Sequence, residues 1–189
     1  EQLQELKSRL MKMSALAEIM IADAVKTVVE RDAQAVSPVY EREELVNRME
    51  LEIDESCLTL IALHQPAAND LRFIMGAVRT NAELERLADE AVNIVQKAGH
   101  LLEVPPLKPF EIIPEMSVLA RGMVHDSLRS FVNRDVVLAR EVLLRDDRQD
   151  DLNAKVAGEL TAFMTQDSAT VPRALDLLLI ARYLERISD

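Results

Sequence analysis

Tryptophan is absent from this chain, glycine occurs four times in 189 residues, cysteine once, and aromatic side chains make up 3%. Sheet proteins depend on glycine at tight turns and on aromatic and β-branched residues across strands, so this poverty argues against a β architecture. A single cysteine, Cys57, excludes an internal disulfide, which fits a reducing compartment. No apolar run approaches the ~20 residues of a membrane span, the Leu175–Ala181 stretch being among the longest. The first residues, Glu1-Gln2-Leu3-Gln4-Glu5, lack the basic and apolar regions of a signal peptide, so a cytoplasmic protein is expected. Basic charge is also scarce: 22 Lys and Arg against 33 Asp and Glu leave a net charge of −11, the wrong sign for a nucleic-acid surface.

What remains is helix-forming. Hydrophobic residues make up 49% of the chain and charged residues 29%, and the abundant Leu, Ala, Glu, Arg and Met all propagate helices well. Leu3, Leu6, Leu10, Met13, Ala17, Met20 and Ala24 step by three and four residues, as do Val46, Met49, Ile53, Cys57, Leu60 and His64, and again Leu71, Ile74, Val78 and Ala82. This period predicts long amphipathic helices covering one another's apolar stripes in an elongated all-α bundle. Proline marks the joints. Asp32 reads as a turn and Ser37-Pro38 as an N-cap with proline behind it, and Pro105, Pro106, Pro109 and Pro114 define a connector over 103–114.

The connector divides two similar halves, 1–102 and 115–189, each predicted to hold three helices. Asp23 followed by Arg31-Asp32 recurs as Asp126 followed by Arg134-Asp135. Leu84-Glu85-Arg86-Leu87-Ala88-Asp89 recurs as Leu184-Glu185-Arg186-Ile187-Ser188-Asp189 at an offset three residues shorter, as a small deletion between the motifs would produce. The first motif continues through Glu90 to Val95 while the second stops at Asp189, so further helical turns are expected beyond it.

Glu85 and Asp89 stand one helical turn apart, as do Glu185 and Asp189. Such like-charge pairs cost roughly 0.2–0.5 kcal/mol each, and a chain that repeats the arrangement gains something from it. Carboxylates on adjacent turns offer oxygen ligands to a metal ion, with further acids across the bundle completing the shell. At about 100° per residue the pair lies at the edge of the stripe begun by Leu71, Ile74 and Val78, while Leu84, Ala88, Ala91 and Val95 carry the apolar face onward. Leu175 and Leu178 precede the second pair in the same way. The alternative is an ion-paired surface. Arg79 and Arg86 stand at pairing distance from Glu83, and Arg86 also from Glu90, whereas Arg182 and Arg186 reach Glu185 and Asp189 less directly. The histidines, His64 on an apolar stripe, His100 at a helix end and His125 beside Asp126, form no Glu-x-x-His pair. Cys57 and the eight methionines read as core, and no phosphate-binding glycine loop or nucleophile–base pattern is present, so no catalysis is expected.

The segments Asn47–Cys57, His64-Gln65-Pro66-Ala67-Ala68-Asn69-Asp70-Leu71-Arg72 and Glu83–Asp89 resemble the first repeat of the PhoU family, and Leu184–Asp189 resembles part of the second. Ala88 and Ser188 replace the glycine usual before the motif aspartate, and the stretch Arg145–Asn153 is more acidic than its partner. The resemblance implies two pseudo-repeat three-helix bundles and metal at Glu85, Asp89, Glu185 and Asp189, with Asp54 and either Asp150 or Asp151 as secondary ligands. Mg, Mn, Fe and Zn are the candidate ions. It implies repression of the phosphate-starvation response by linking the ATPase subunit of the phosphate ABC transporter to a sensor histidine kinase at the inner membrane; a homodimer is the expected assembly. Regulation of another phosphate transporter, a carboxylate-bridged metal store and a purely structural scaffold are the alternatives.

Overall fold

The computed structural model of the chain describes residues 2–107 and 111–189; Lys108, Pro109 and Phe110 of the expected connector lie outside them. Among the described residues all regular structure is helical: α1 (Gln2–Val29), α2 (Val36–His64), α3 (Ala68–Leu102), α4 (Ile112–Asn133), α5 (Val136–Leu143), α6 (Asp146–Gln166) and α7 (Val171–Ser188), with 3₁₀ turns at Ala33–Ala35 and Ser168–Thr170. No helix among them is long and apolar enough to cross a membrane.

The α1 stripe is buried as its spacing predicts, from Leu6 through Leu10, Met13, Ala17 and Met20 to Ala24. The α3 stripe is displaced. Leu71 and Ala82 are exposed, and the buried line runs through Phe73, Ile74, Ala77, Asn81, Leu84, Leu87, Ala88 and Ala91. A 35-residue helix with three neighbours is covered on more than one side, so a single 3.6-residue stripe understates its buried face. His64 is exposed at the end of α2 rather than sharing the stripe that ends at Leu60.

Helices α1 and α3 pack on each other and against α4 and α7, so the two halves share one continuous core. The middle helices lie outside this central layer: α2 packs on α1 and α3, and α6 on α7 and α4. Two ties cross between the motifs. The Arg86 guanidinium donates to the Arg186 carbonyl at 2.9 Å, and Arg186 pairs with the buried Glu90 at 3.0 Å.

The internal repeat extends to backbone conformation. α1 and α4 are each followed by an arginine in the left-handed region, Arg31 at φ 55° and Arg134 at φ 57°, where glycine is usual. The following aspartate caps the next turn in both halves: the Asp32 carboxylate accepts from the Gln34 N–H, and Asp135 from those of Val137 and Leu138. Asp23–Arg42 at 2.8 Å and Asp126–Arg145 at 2.7 Å are matching ion pairs, each spanning 19 residues. Arg31 also donates to the carbonyls of Leu101, Leu102 and Val104, each at 2.8 Å, tying the end of α3 to the end of α1.

Three expectations about boundaries change. Asp32, not Ser37, supplies the cap before α2, through the intervening 3₁₀ turn, and Pro38 is the third residue of that helix. Pro114 is likewise third in α4 rather than in the connector; within the first turn its missing N–H leaves no helical hydrogen bond unmade. The middle element of the second half is two helices, not one. Asp135 caps a full α-helix at once, and the chain turns at Leu144–Arg145, where the Arg145 N–H bonds the Val142 carbonyl and its side chain is held by Asp126.

Phe73 stacks on Phe131 at 4.9 Å between ring centroids, joining α3 to α4, and Gly76 lies beneath that contact. A Cβ at Gly76 would meet Phe131 at 2.7 Å, whereas one at Gly99, Gly122 or Gly158 would meet nothing within 4 Å. Urea denaturation should therefore show Gly99→Ala, Gly122→Ala and Gly158→Ala each stabilising by about 0.5–1 kcal/mol through helix propensity. Gly76→Ala is expected to lose stability, because the stacked ring has to move; a gain equal to the other three would contradict this packing.

Candidate functional site

Glu85 and Asp89 project from α3 at the seam with α2, and two α2 acids meet them. Burial, then Asp89, Glu50 and Glu43, push the Glu85 carboxyl above its ordinary value, and burial followed by Asp89 and Glu44 does the same to Glu43. Among the described residues no cation pairs with Glu43, Glu50, Glu85 or Asp89. The nearby Arg86 is committed elsewhere, to Glu83 at 2.7 Å and to the Arg186 carbonyl. Four carboxylates thus share one seam without a counterion.

The second half rebuilds the arrangement where α7 meets α6. Burial, then Asp189, Asp150 and Asp146, raises the Glu185 carboxyl, partly opposed by Arg182. Asp146 is raised by burial, then by Asp150, Asp189 and Asp147. Glu185 is only 7% exposed, and its Oε2 is buried without a hydrogen-bond partner, as is Oδ1 of Asp146. A buried acceptor without a donor is costly, and a cation is one group that satisfies it.

The four motif acids are therefore gathered in two clusters, each at the seam between an inner and an outer helix. Of the secondary candidates, Asp150 acts on Glu185 and Asp146, while Asp151, exposed like Asp150, is not among the groups that act on either. Asp54 instead accepts a hydrogen bond from the buried Asn81 at 2.9 Å. Spacing on α3 and α7 does not reveal Glu43, Glu50 and Asp146. Glu43 and Asp146 stand at the same offset as Asp23 and Asp126, so carrying the repeat onto the middle helices would have found them. The outer helices are not identical, because Asp150 corresponds to Asn47 and Glu50 to Asn153.

One of the second-half arginines acts more directly than its spacing suggests. Arg182 holds Glu185 Oε1 at 2.8 Å, and Arg186 turns away to Glu90. The histidines lie elsewhere: His100 faces Asp176 at 3.7 Å, His125 faces Glu18 at 3.4 Å, and His64 is exposed. Cys57 is fully buried, its thiol pushed up to about 11, chiefly by burial; a thiol so placed is no nucleophile.

Oxygen-only donor sets suit Mg²⁺, Mn²⁺ and iron better than softer ions, and the orphaned acceptors of Glu185 and Asp146 fit such a ligand. Among the described residues, however, no three acidic, His or Cys side chains converge closely enough to hold one ion. The carboxylates adjoin one another without enclosing a point.

Residues 10–98 and 113–189 match the PhoU domain family. A phosphate-specific transport system accessory protein PhoU homolog of Aquifex aeolicus is 36% identical over 186 residues, covering 98% of this chain and 84% of that protein. The PhoU accessory protein of Escherichia coli is 33% identical, covering 100% and 78%. The crystal structure of PhoU from Pseudomonas aeruginosa superposes with a TM-score of 0.94 at 31% identity, over 100% of this chain and 90% of that one.

For a carboxyl whose folded value is raised, stability is greatest below its ordinary value, near 4.5 for Glu85, and is lost as pH rises through the folded value. Replacing Glu85→Gln with Asp89→Asn should thus stabilise the chelator-treated protein at pH 7 by on the order of 0.5 kcal/mol, the advantage shrinking towards pH 4. Urea denaturation across that range checks it; equal stability of the two proteins at pH 7 would refute the repulsion.

Proposed function

The chain belongs to the PhoU family, and from that membership we propose that it is a negative regulator of the phosphate-starvation response that acts by binding rather than by catalysis. The reading rests foremost on the near-complete correspondence to relatives named as accessory proteins of the phosphate-specific transport system. Its partners are then the ATPase subunit of the phosphate ABC transporter and a phosphate-responsive sensor kinase, which bring a cytoplasmic homodimer to the inner membrane. A net charge of −11 favours association with cationic patches on those partners and makes it salt-sensitive.

Metal enters this reading through the two clusters. Glu43, Glu50, Glu85 and Asp89 would hold ions at the first seam, and Asp146, Asp150, Glu185 and Asp189 at the second. A bound cation supplies the positive charge that each group of acids lacks, drawing the outer helix towards the inner one. Loading with Mg, Mn, Fe or Zn would in this way couple ion content to the shape of the outer surface. Regulation of a different phosphate transporter is the second reading, since the same fold and seams serve it equally. A metal store draws on the same donors but lacks Glu-x-x-His ligands.

A bacterial strain deleted for its own PhoU and carrying an alkaline-phosphatase reporter of the starvation response tests the proposal. Expression of this chain is expected to restore repression in high phosphate at least several-fold, and the Glu85→Gln, Asp89→Asn variant is expected to fail at equal protein level. Full repression by the variant would remove metal from the mechanism, and no repression by either protein would remove the regulatory assignment.

A further inference from the structure

The two carboxylate clusters differ in their outer-helix acids and, on the inner helices, in one basic residue. Arg182 stands three residues before Glu185, and the position three residues before Glu85 is Ala82. The Arg182 Nη1 donates to Glu185 Oε1 at 2.8 Å, while Oε2 of the same carboxylate stays buried without a partner. Glu185 is thus a ligand with one oxygen taken by the protein's own cation and one open. Glu85 has no such companion, and Ala82 is exposed, so an arginine there would meet no packed neighbour.

The Arg182 side chain is 56% exposed against 10% for that of Glu185. Its aliphatic stem crosses the helix surface to place the charge on the carboxylate, and a rotation about that stem releases it to water. Arg182 is therefore a tethered and displaceable counterion. A divalent cation binding both oxygens of Glu185 has to break a charge-assisted hydrogen bond, and one binding Oε2 alone has to accept a positive neighbour on the same carboxylate. At the first cluster it does neither.

We propose that Arg182 is a specificity-determining residue that makes the two cation sites unequal, competing with the ion for Glu185 so that the α2–α3 cluster loads before the α6–α7 cluster. The inference rests on the reading of both clusters as cation sites. It gives the duplicated fold two thresholds instead of one. The first site fills at low free cation, and the second fills only when the concentration is high enough to expel the guanidinium. A single charge within about 4–6 Å alters the proton affinity of a carboxylate by about tenfold or more, and a half-exposed guanidinium belongs at the lower end of that range.

The test is titration of the metal-free full chain with Mn²⁺ by isothermal calorimetry, with one site silenced at a time. In a Glu85→Gln, Asp89→Asn background, which leaves the second site, Arg182→Ala is expected to tighten Mn²⁺ binding about tenfold. In a Glu185→Gln, Asp189→Asn background, Ala82→Arg is expected to weaken the first site by a similar factor. Both substituted positions are largely exposed, and circular dichroism should show unchanged helicity. Affinities that ignore both substitutions would overturn the inference while leaving the sites standing. Weaker binding in Arg182→Ala would also overturn it, by showing that the arginine positions Glu185 for the ion. Absence of Mn²⁺ binding in wild type and both backgrounds would overturn the cation reading itself, and this inference with it.

Discussion

Repulsion among carboxylates held at two helix seams is the constraint on which the rest of this structure turns. Each seam brings four acids within electrostatic reach of one another, with Glu43, Glu85, Asp146 and Glu185 partly withdrawn from water, where such interactions are stronger than on an open surface. The only arginine pairing with these eight acids among the described residues is Arg182. Such an arrangement survives in a folded chain because the apolar core beneath it is extensive: Leu84, Ala88 and Ala91 on α3, and Leu177, Ile180, Ala181 and Leu184 on α7, fix the helices that carry the acids. The core sets the geometry in which the charges are held.

The less constrained elements are the outer helices. α2 and α6 each pack on only two inner helices and present their other faces to solvent. The inner layer is bound more tightly, through Phe73 on Phe131, the Arg86 bond to the Arg186 carbonyl and the buried Glu90–Arg186 pair. A change in charge at either seam therefore acts between a fixed helix and a less constrained one. Duplication supplies two such seams in one chain, which differ in their acids and in the single arginine at the second.

The helical class and the duplication were legible because both are carried by local pattern. The α1 stripe from Leu6 to Ala24 needed only its own period, and the Arg-Asp turns after α1 and α4 proved alike down to the sign of φ at Arg31 and Arg134. The motif acids were legible because each pair lies on one helix. The α3 stripe was misread because three neighbours bury that helix on several sides, and period alone assumes one. Glu50 was overlooked because an acid contributed across a seam depends on how α2 rotates against α3, which no single helix encodes, whereas Glu43 and Asp146 needed only the repeat carried onto the middle helices. Arg182 was underrated for the opposite reason: its i,i+3 geometry was visible, but the burial of Glu185 that makes the pair matter was not. The break at Leu144–Arg145 depends on Asp126 reaching Arg145 from α4, a tertiary contact that local propensity does not contain.

The most direct measurement of the central claim is thermal unfolding of the metal-free protein at pH 7 with increasing Mn²⁺. If the seams are charged sites waiting for a cation, the melting temperature rises with concentration, and a site at a hundredfold excess over its Kd contributes about 2.7 kcal/mol. That rise should disappear when Glu85, Asp89, Glu185 and Asp189 are all made neutral. A melting temperature that does not respond to Mn²⁺, or that responds equally without the four acids, would contradict the account.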